Sequence, residues 1–110
     1  METKVVKASE TRIFLEGLEV CREYFKTDKI TFGTSELQPG QTGAIDPGHA
    51  NSHEVFYVSR GTVLLRCGEK HYELHEGDAQ FIPPNEPHQL TNIGSCIAVV
   101  SWSMAPSELN

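Results

Sequence analysis

The sequence predicts an all-β fold, a sandwich or a barrel, and two observations carry that expectation. Short runs rich in β-branched and aromatic residues recur about every eight to twelve residues with Gly, Pro or Asp between them. Helical periodicity is nearly absent. The length of 110 residues sets the scale: a chain of this size buries roughly two thirds of its unfolded surface, enough for one domain with one core. A single domain over residues 1–110 is therefore expected.

About eight strands are predicted, at 20–25, 30–37, 55–59, 62–67, 70–74, 80–82, 88–92 and 96–103, with an edge strand within 4–15. The breaks between them have mechanisms. Cys67-Gly68-Glu69 reads as a tight hairpin and Glu76-Gly77-Asp78 as a turn that admits positive φ. Pro83-Pro84 halts pairing because neither residue has an N–H to donate. Pro39-Gly40 and Asp46-Pro47-Gly48 frame a loop that delivers His49 to the mouth of the next strand.

In the strand that follows, alternation places Glu54, Phe56 and Val58 on one face and Val55, Tyr57 and Ser59 on the other. Both faces are largely apolar and need two covers, and in so short a chain a second subunit is the expected outer one. A homodimer is the expectation. No internal repeat or low-complexity tract is present.

Composition removes several function classes. Net charge is -6 and the nine basic residues are scattered, so no stripe tracks a nucleic-acid backbone. No apolar run reaches the roughly 18 residues needed to span a bilayer, and the first residues lead into a polar stretch rather than a signal sequence, which predicts a cytoplasmic protein. Cys21, Cys67 and Cys96 are odd in number and unevenly spaced, and are expected to be reduced packing residues.

The chemistry is expected around His49, Glu54 and His88. Imidazole nitrogen and carboxylate oxygen suit Fe, Mn, Ni, Co or Zn, and two His with one Glu form a triad that leaves positions open for substrate or water. Glu54 lies inward in an otherwise apolar strand, where a carboxylate needs a cation or donors to offset its desolvation. Phe56 shares that face. Gln80 lies on the same face as Ile82 and either points outward or contacts a ligand; the Tyr72 phenol is a packing group that, facing a cavity, serves as acid or donor.

The segment Gly77, Pro83, Asn85, His88, Asn92 resembles the second motif of the cupins, small jelly-roll barrels of the RmlC-like type. Only the turn Gly is exchanged, for Asn85, and Asn also tolerates the left-handed conformation. The first motif matches in its tail, Glu54 followed by six residues and Gly61, with His49 at the family's second His. Pro47 occupies the place of the first His, and Gly40 and Gly43 flank the expected leading Gly at Gln41. The resemblance spans about residues 38–103, with residues 4–37 as N-terminal edge strands, and implies a double-stranded β-helix.

By resemblance, the usual three-His-one-Glu set is reduced here to His49, Glu54 and His88. His53 is the obvious replacement for the missing imidazole, yet as the neighbour of Glu54 it points to the opposite face unless a bulge rotates it inward. The cupin barrel hosts dioxygenases, isomerases, epimerases, lyases, sugar-binding regulators and storage proteins. Three readings follow: a metal-dependent isomerase, lyase or dioxygenase acting on a small polar metabolite; a non-catalytic metal, sugar or organic-acid binding module; and a metal-free acid/base enzyme using His49, His88 and Glu54.

Overall fold

In a computed structural model, which describes residues 2–108, nine strands form two antiparallel sheets. Residues 1, 109 and 110 of the expected 1–110 span lie outside the described residues. The strands are β1 (Arg12–Glu16), β2 (Glu19–Lys26), β3 (Thr31–Leu37), β4 (His53–Arg60), β5 (Val63–Cys67), β6 (Lys70–Leu74), β7 (Ala79–Ile82), β8 (His88–Asn92) and β9 (Ala98–Ala105). The larger sheet runs β1-β2-β3-β9-β4-β7 and the smaller β6-β5-β8. No described helix is long and apolar enough to cross a membrane.

Burial alternates regularly in β3, β4, β5 and β8. In β4 exposed and buried residues alternate from His53 to Val58, and in β3 Thr31, Gly33, Ser35 and Leu37 all turn inward. These inner faces close on a core of Leu37, Phe56, Val58, Val63, Leu65, Leu74, Ile82, Leu90, Ala98 and Val100, against which Trp102 packs. The eight expected strands are all present, with ends shifted by at most two residues. The edge strand expected within 4–15 forms only from Arg12 onward, after a 3-10 turn at Ala8–Glu10.

One difference and one agreement concern single residues. Cys21 and Cys67 are buried, but Cys96 is exposed, because β9 starts only at Ala98 and leaves Cys96 in the preceding bend. Asn85 has φ 63°, the left-handed conformation that its Gly-like motif position requires.

The loop between β3 and β4 positions the site. It lacks strand alternation, yet it lies extended along β8 through bridges Thr42↔Thr91 and Asp46↔His88. Backbone bonds hold it there: Asp46 N–H donates to the His88 carbonyl at 2.8 Å and His88 N–H returns to Asp46 at 2.9 Å. At the far end of β8, the buried Asn92 amide donates to the Leu37 and Cys96 carbonyls and accepts from Gly94 N–H. Asn92 is therefore a fastener of β8, with its polar atoms satisfied.

Candidate metal centre

The structure brings His49, Glu54 and His88 together, joined by a residue that the sequence reading treated only as part of a turn. One donor atom each from Asp46, Glu54 and His88 lies within 4.8 Å of the others. His49 Nε2 stands 3.5 Å from Asp46 Oδ2 and 3.8 Å from Glu54 Oε1. Asp46 immediately precedes Pro47, and its backbone pairing with His88 brings its carboxylate to the imidazole, 3.5 Å from Nε2. Asp46 thus brings a second carboxylate to the group formed by Glu54 and His88.

The tautomer of His88 follows from its surroundings. Its Nδ1 is 2.9 Å from the Glu86 carbonyl, an atom that only accepts, so Nδ1 carries the proton. Nε2 of the neutral ring then presents a lone pair to Glu54 Oε1 at 3.2 Å. Both atoms are buried and neither makes an aligned hydrogen bond. Two acceptors facing each other in a buried site call for a proton or a cation between them, so this donor set fits a divalent transition metal.

The electrostatics agree. Burial alone would lower His88, but Glu54, the Glu86 carbonyl and Asp46 outweigh it and raise its pKa. The hydrogen-bonding carboxylate of Asp46 pushes His49 up to about 9. Asp46 itself moves down: burial pulls upward, and His49, the Gly48 N–H and His88 overcome it. On the outer side, His49 Nδ1 is 3.4 Å from Glu108.

The centre opens into a cavity of about 140 Å³. Phe56 lines it, with Leu90, Trp102 and Met104 as apolar wall. Glu16 and Glu19 line it too, and the sequence reading missed both because they precede the segment of family resemblance. A signal was available: Glu19 is two residues before Cys21 and shares its buried face.

Three candidates lie elsewhere. His53 is exposed and packs edge-on against Phe81, ring centroids 5.2 Å apart. The one register shift of β4 against β9 falls between Val58 and Arg60, so nothing rotates His53 inward. Tyr72 is on edge strand β6, 40% exposed, and does not line the cavity. Gln80 pairs with Phe56 across β4 and β7, and its amide donates to Cys67 Sγ at 3.5 Å instead of lining the cavity.

Fold and site together define a barrel with a His- and carboxylate-lined mouth, and the sequence comparison assigns the class: the chain belongs to the cupin family, whose domain model matches residues 33–103. Among curated proteins it is 36% identical over 47 residues to an uncharacterised protein of Methanocaldococcus jannaschii, 43% of this chain and 38% of that one. It is 30% identical over 95 residues to the mannose-1-phosphate guanylyltransferase RfbM of Salmonella typhimurium, 81% of this chain and 20% of that one. The chain thus matches a minor part of each relative's length.

Solved structures share the fold at low identity. KdgF from Halomonas sp. superposes with TM-score 0.82 at 15% identity, covering 97% of this chain and 96% of that one. A predicted oxalate decarboxylase from Thermotoga maritima gives 0.80 at 18%, covering 94% and 100%. A double-stranded β-helix protein from Klebsiella pneumoniae gives 0.83 at 18%, covering 99% and 95%.

Proposed function

We propose that the protein binds a divalent transition metal through Asp46, His49, Glu54 and His88 and acts as a metal-dependent enzyme on a small polar metabolite held in the adjoining cavity. The observation that carries this reading is the buried pair His88 Nε2 and Glu54 Oε1, 3.2 Å apart and without aligned partners. When bound, the metal supplies Lewis acidity at a carbonyl or water. The chain's own groups hold the donors in place: the Glu86 carbonyl fixes the His88 tautomer, and Glu108 stands 3.4 Å from the outer ring nitrogen of His49. Phe56, Leu90, Trp102 and Met104 exclude water from the ligand's carbon skeleton.

A second reading keeps the site and omits the metal. With its pKa near 9, His49 carries a proton at neutral pH between Asp46 and Glu54, and that proton is available to a substrate as general acid. The cytoplasm is the setting that suits the three unpaired thiols. The apolar outer face of β4 and β7 supports a homodimer.

Metal analysis separates the two. Protein purified without an affinity tag should carry near-stoichiometric transition metal, and Mn(II) titration should show at least about tenfold weaker binding in Asp46→Asn and His88→Ala, with His53→Ala unchanged. Unaltered affinity in His88→Ala would show that the ligands are elsewhere. Turnover by a metal-free preparation would establish the second reading.

A further inference from the structure

Besides Glu23, which is paired with Arg12, the cavity wall beyond the metal centre carries a second pair of carboxyls. Glu16, ending β1, and Glu19, opening β2, enter from one hairpin and line the same cavity as Asp46, Glu54 and His88. Glu19 is 4% exposed. The fold makes room for it: a Cβ on Gly43 would stand 2.5 Å from Glu19 Cγ, Cδ and Oε2, so this position admits no side chain while Glu19 keeps its place.

Cations are scarce around this pair. Arg12 is engaged by Glu23 at 3.2 Å. Arg22 donates to the Ala8 carbonyl and lies 3.9 Å from Glu36. Lys26 is the one Lys or Arg among the described residues that line the cavity, and it is exposed. Sites that bind carboxylates use guanidinium forks or clustered cations. None faces this space.

Burial and then the charge of Glu16 push Glu19 up to about 8. Burial, followed by Asp46 and Glu54, raises Glu16 as well. Near neutrality Glu19 presents a protonated carboxyl, which donates through its O–H and accepts through its carbonyl oxygen, beside the second carboxyl of Glu16. A hydroxyl matches that pattern because it both donates and accepts, and an ammonium matches the accepting half. A carboxylate brings acceptors only, and a like charge.

We propose that the cavity takes an uncharged or cationic ligand bearing hydroxyl or amino groups, and that Glu16 and Glu19 are the residues that turn small chelating dianions away. The proposal rests on the metal-centre reading for the opposite end of the ligand, and the test separates the two. Mn(II) affinity is measured first, on wild type and on Glu16→Gln/Glu19→Gln, by electron paramagnetic resonance. Oxalate and 2-aminoethanol are then titrated calorimetrically into the loaded proteins.

Oxalate should bind the double variant at least about tenfold more tightly than wild type, and 2-aminoethanol at least about tenfold more weakly. Glu16→Gln alone, at a half-buried position, should move both affinities in the same directions and covers a double variant that fails to fold. Oxalate binding wild type as tightly as the variants would overturn the proposal. Failure to take up Mn(II) would sink the metal reading alone. The wall is then tested in the metal-free protein, where 2-aminoethanol must raise Tm in wild type and not in Glu16→Gln; equal shifts would overturn it.

Discussion

Glu19 stays protonated in the fold at pH values where an exposed glutamate has long ionised. Its pKa moves from an ordinary 4.5 to about 8, chiefly through burial. Between those values the folded chain keeps a proton that the unfolded chain has released, so unfolding free energy falls as pH rises; the penalty is absent below the lower value and complete above the upper. Glu16 acts in the same sense. His49, raised from 6.5 to about 9, and His88, also raised, contribute stability that is present below 6.5 and fades as pH passes their folded values. Asp46 works oppositely: its lowered pKa gives stability above 3.8 that is lost on acidification. Metal-free protein should therefore melt highest in mild acid and lose Tm steadily towards pH 9. Glu19→Gln should flatten the limb from pH 4.5 to 8 and keep the later decline due to His49. Calorimetry across that range checks it, and an unflattened limb would mean that Glu19 ionises normally. None of this was legible in the sequence, because a pKa depends on burial, and Glu19 reads there as one acidic residue of fifteen Asp and Glu. His88, Glu54 and His49 were legible, since motif spacing and strand alternation fix where they point. Asp46 was not: it sits in a stretch without alternation, and only its backbone pairing with His88 turns it inward.

At the scale of elements, strands were readable where one face is buried and turns where a special residue is required. The second cupin segment shows both, with β8 found at 88–92 as expected and Asn85 adopting the positive φ that its motif position demands. The sheet carries a further constraint that no local pattern announces. Gly33, in the middle of β3, pairs with Glu23 on β2 and with Trp102 on β9. A Cβ there would fall inside the van der Waals shells of the Arg22 carbonyl and the Trp102 ring. The missing side chain lets the indole lie across β3, where its N–H donates to Ser35 Oγ at 3.2 Å. Trp102 in turn walls the cavity, so a backbone position outside the candidate metal centre shapes the space beside it. Gly33→Ala should cost about 1–3 kcal/mol in urea unfolding, the range for an overpacked interior. It should also shift Trp102 fluorescence in the folded state. Unchanged stability and spectrum would show that the indole moves aside freely.

At the scale of the whole molecule, the two sheets divide their inner faces between core and cavity, and the outer face of the larger sheet is left apolar at one end. Val55, Tyr57 and Phe81 are 41%, 45% and 53% exposed. The β4–β7 register sets Val55 directly opposite Phe81, and β9 continues the face with the uncharged Ser103 and Ser101 beside Val55 and Tyr57. Short β7 leaves its outer edge unpaired at the same place. An uncharged patch next to an open strand edge invites a cover, and the homodimer proposed above would supply one, a second copy placing the same groups over it about a two-fold axis. His53 belongs to this face: its edge-on contact with Phe81 gives the imidazole an apolar neighbour outside the barrel, which accounts for a histidine beside Glu54 that does not join the candidate metal centre. The wild type should sediment as a dimer at micromolar concentration. Tyr57→Glu/Phe81→Glu should sediment as a monomer, because two like charges facing each other across the axis have no partner there. Metal affinity should stay intact, since both side chains point away from the cavity. A monomeric wild type would refute the assignment of this face, and a dimer that survives both substitutions would place the interface elsewhere on the molecule.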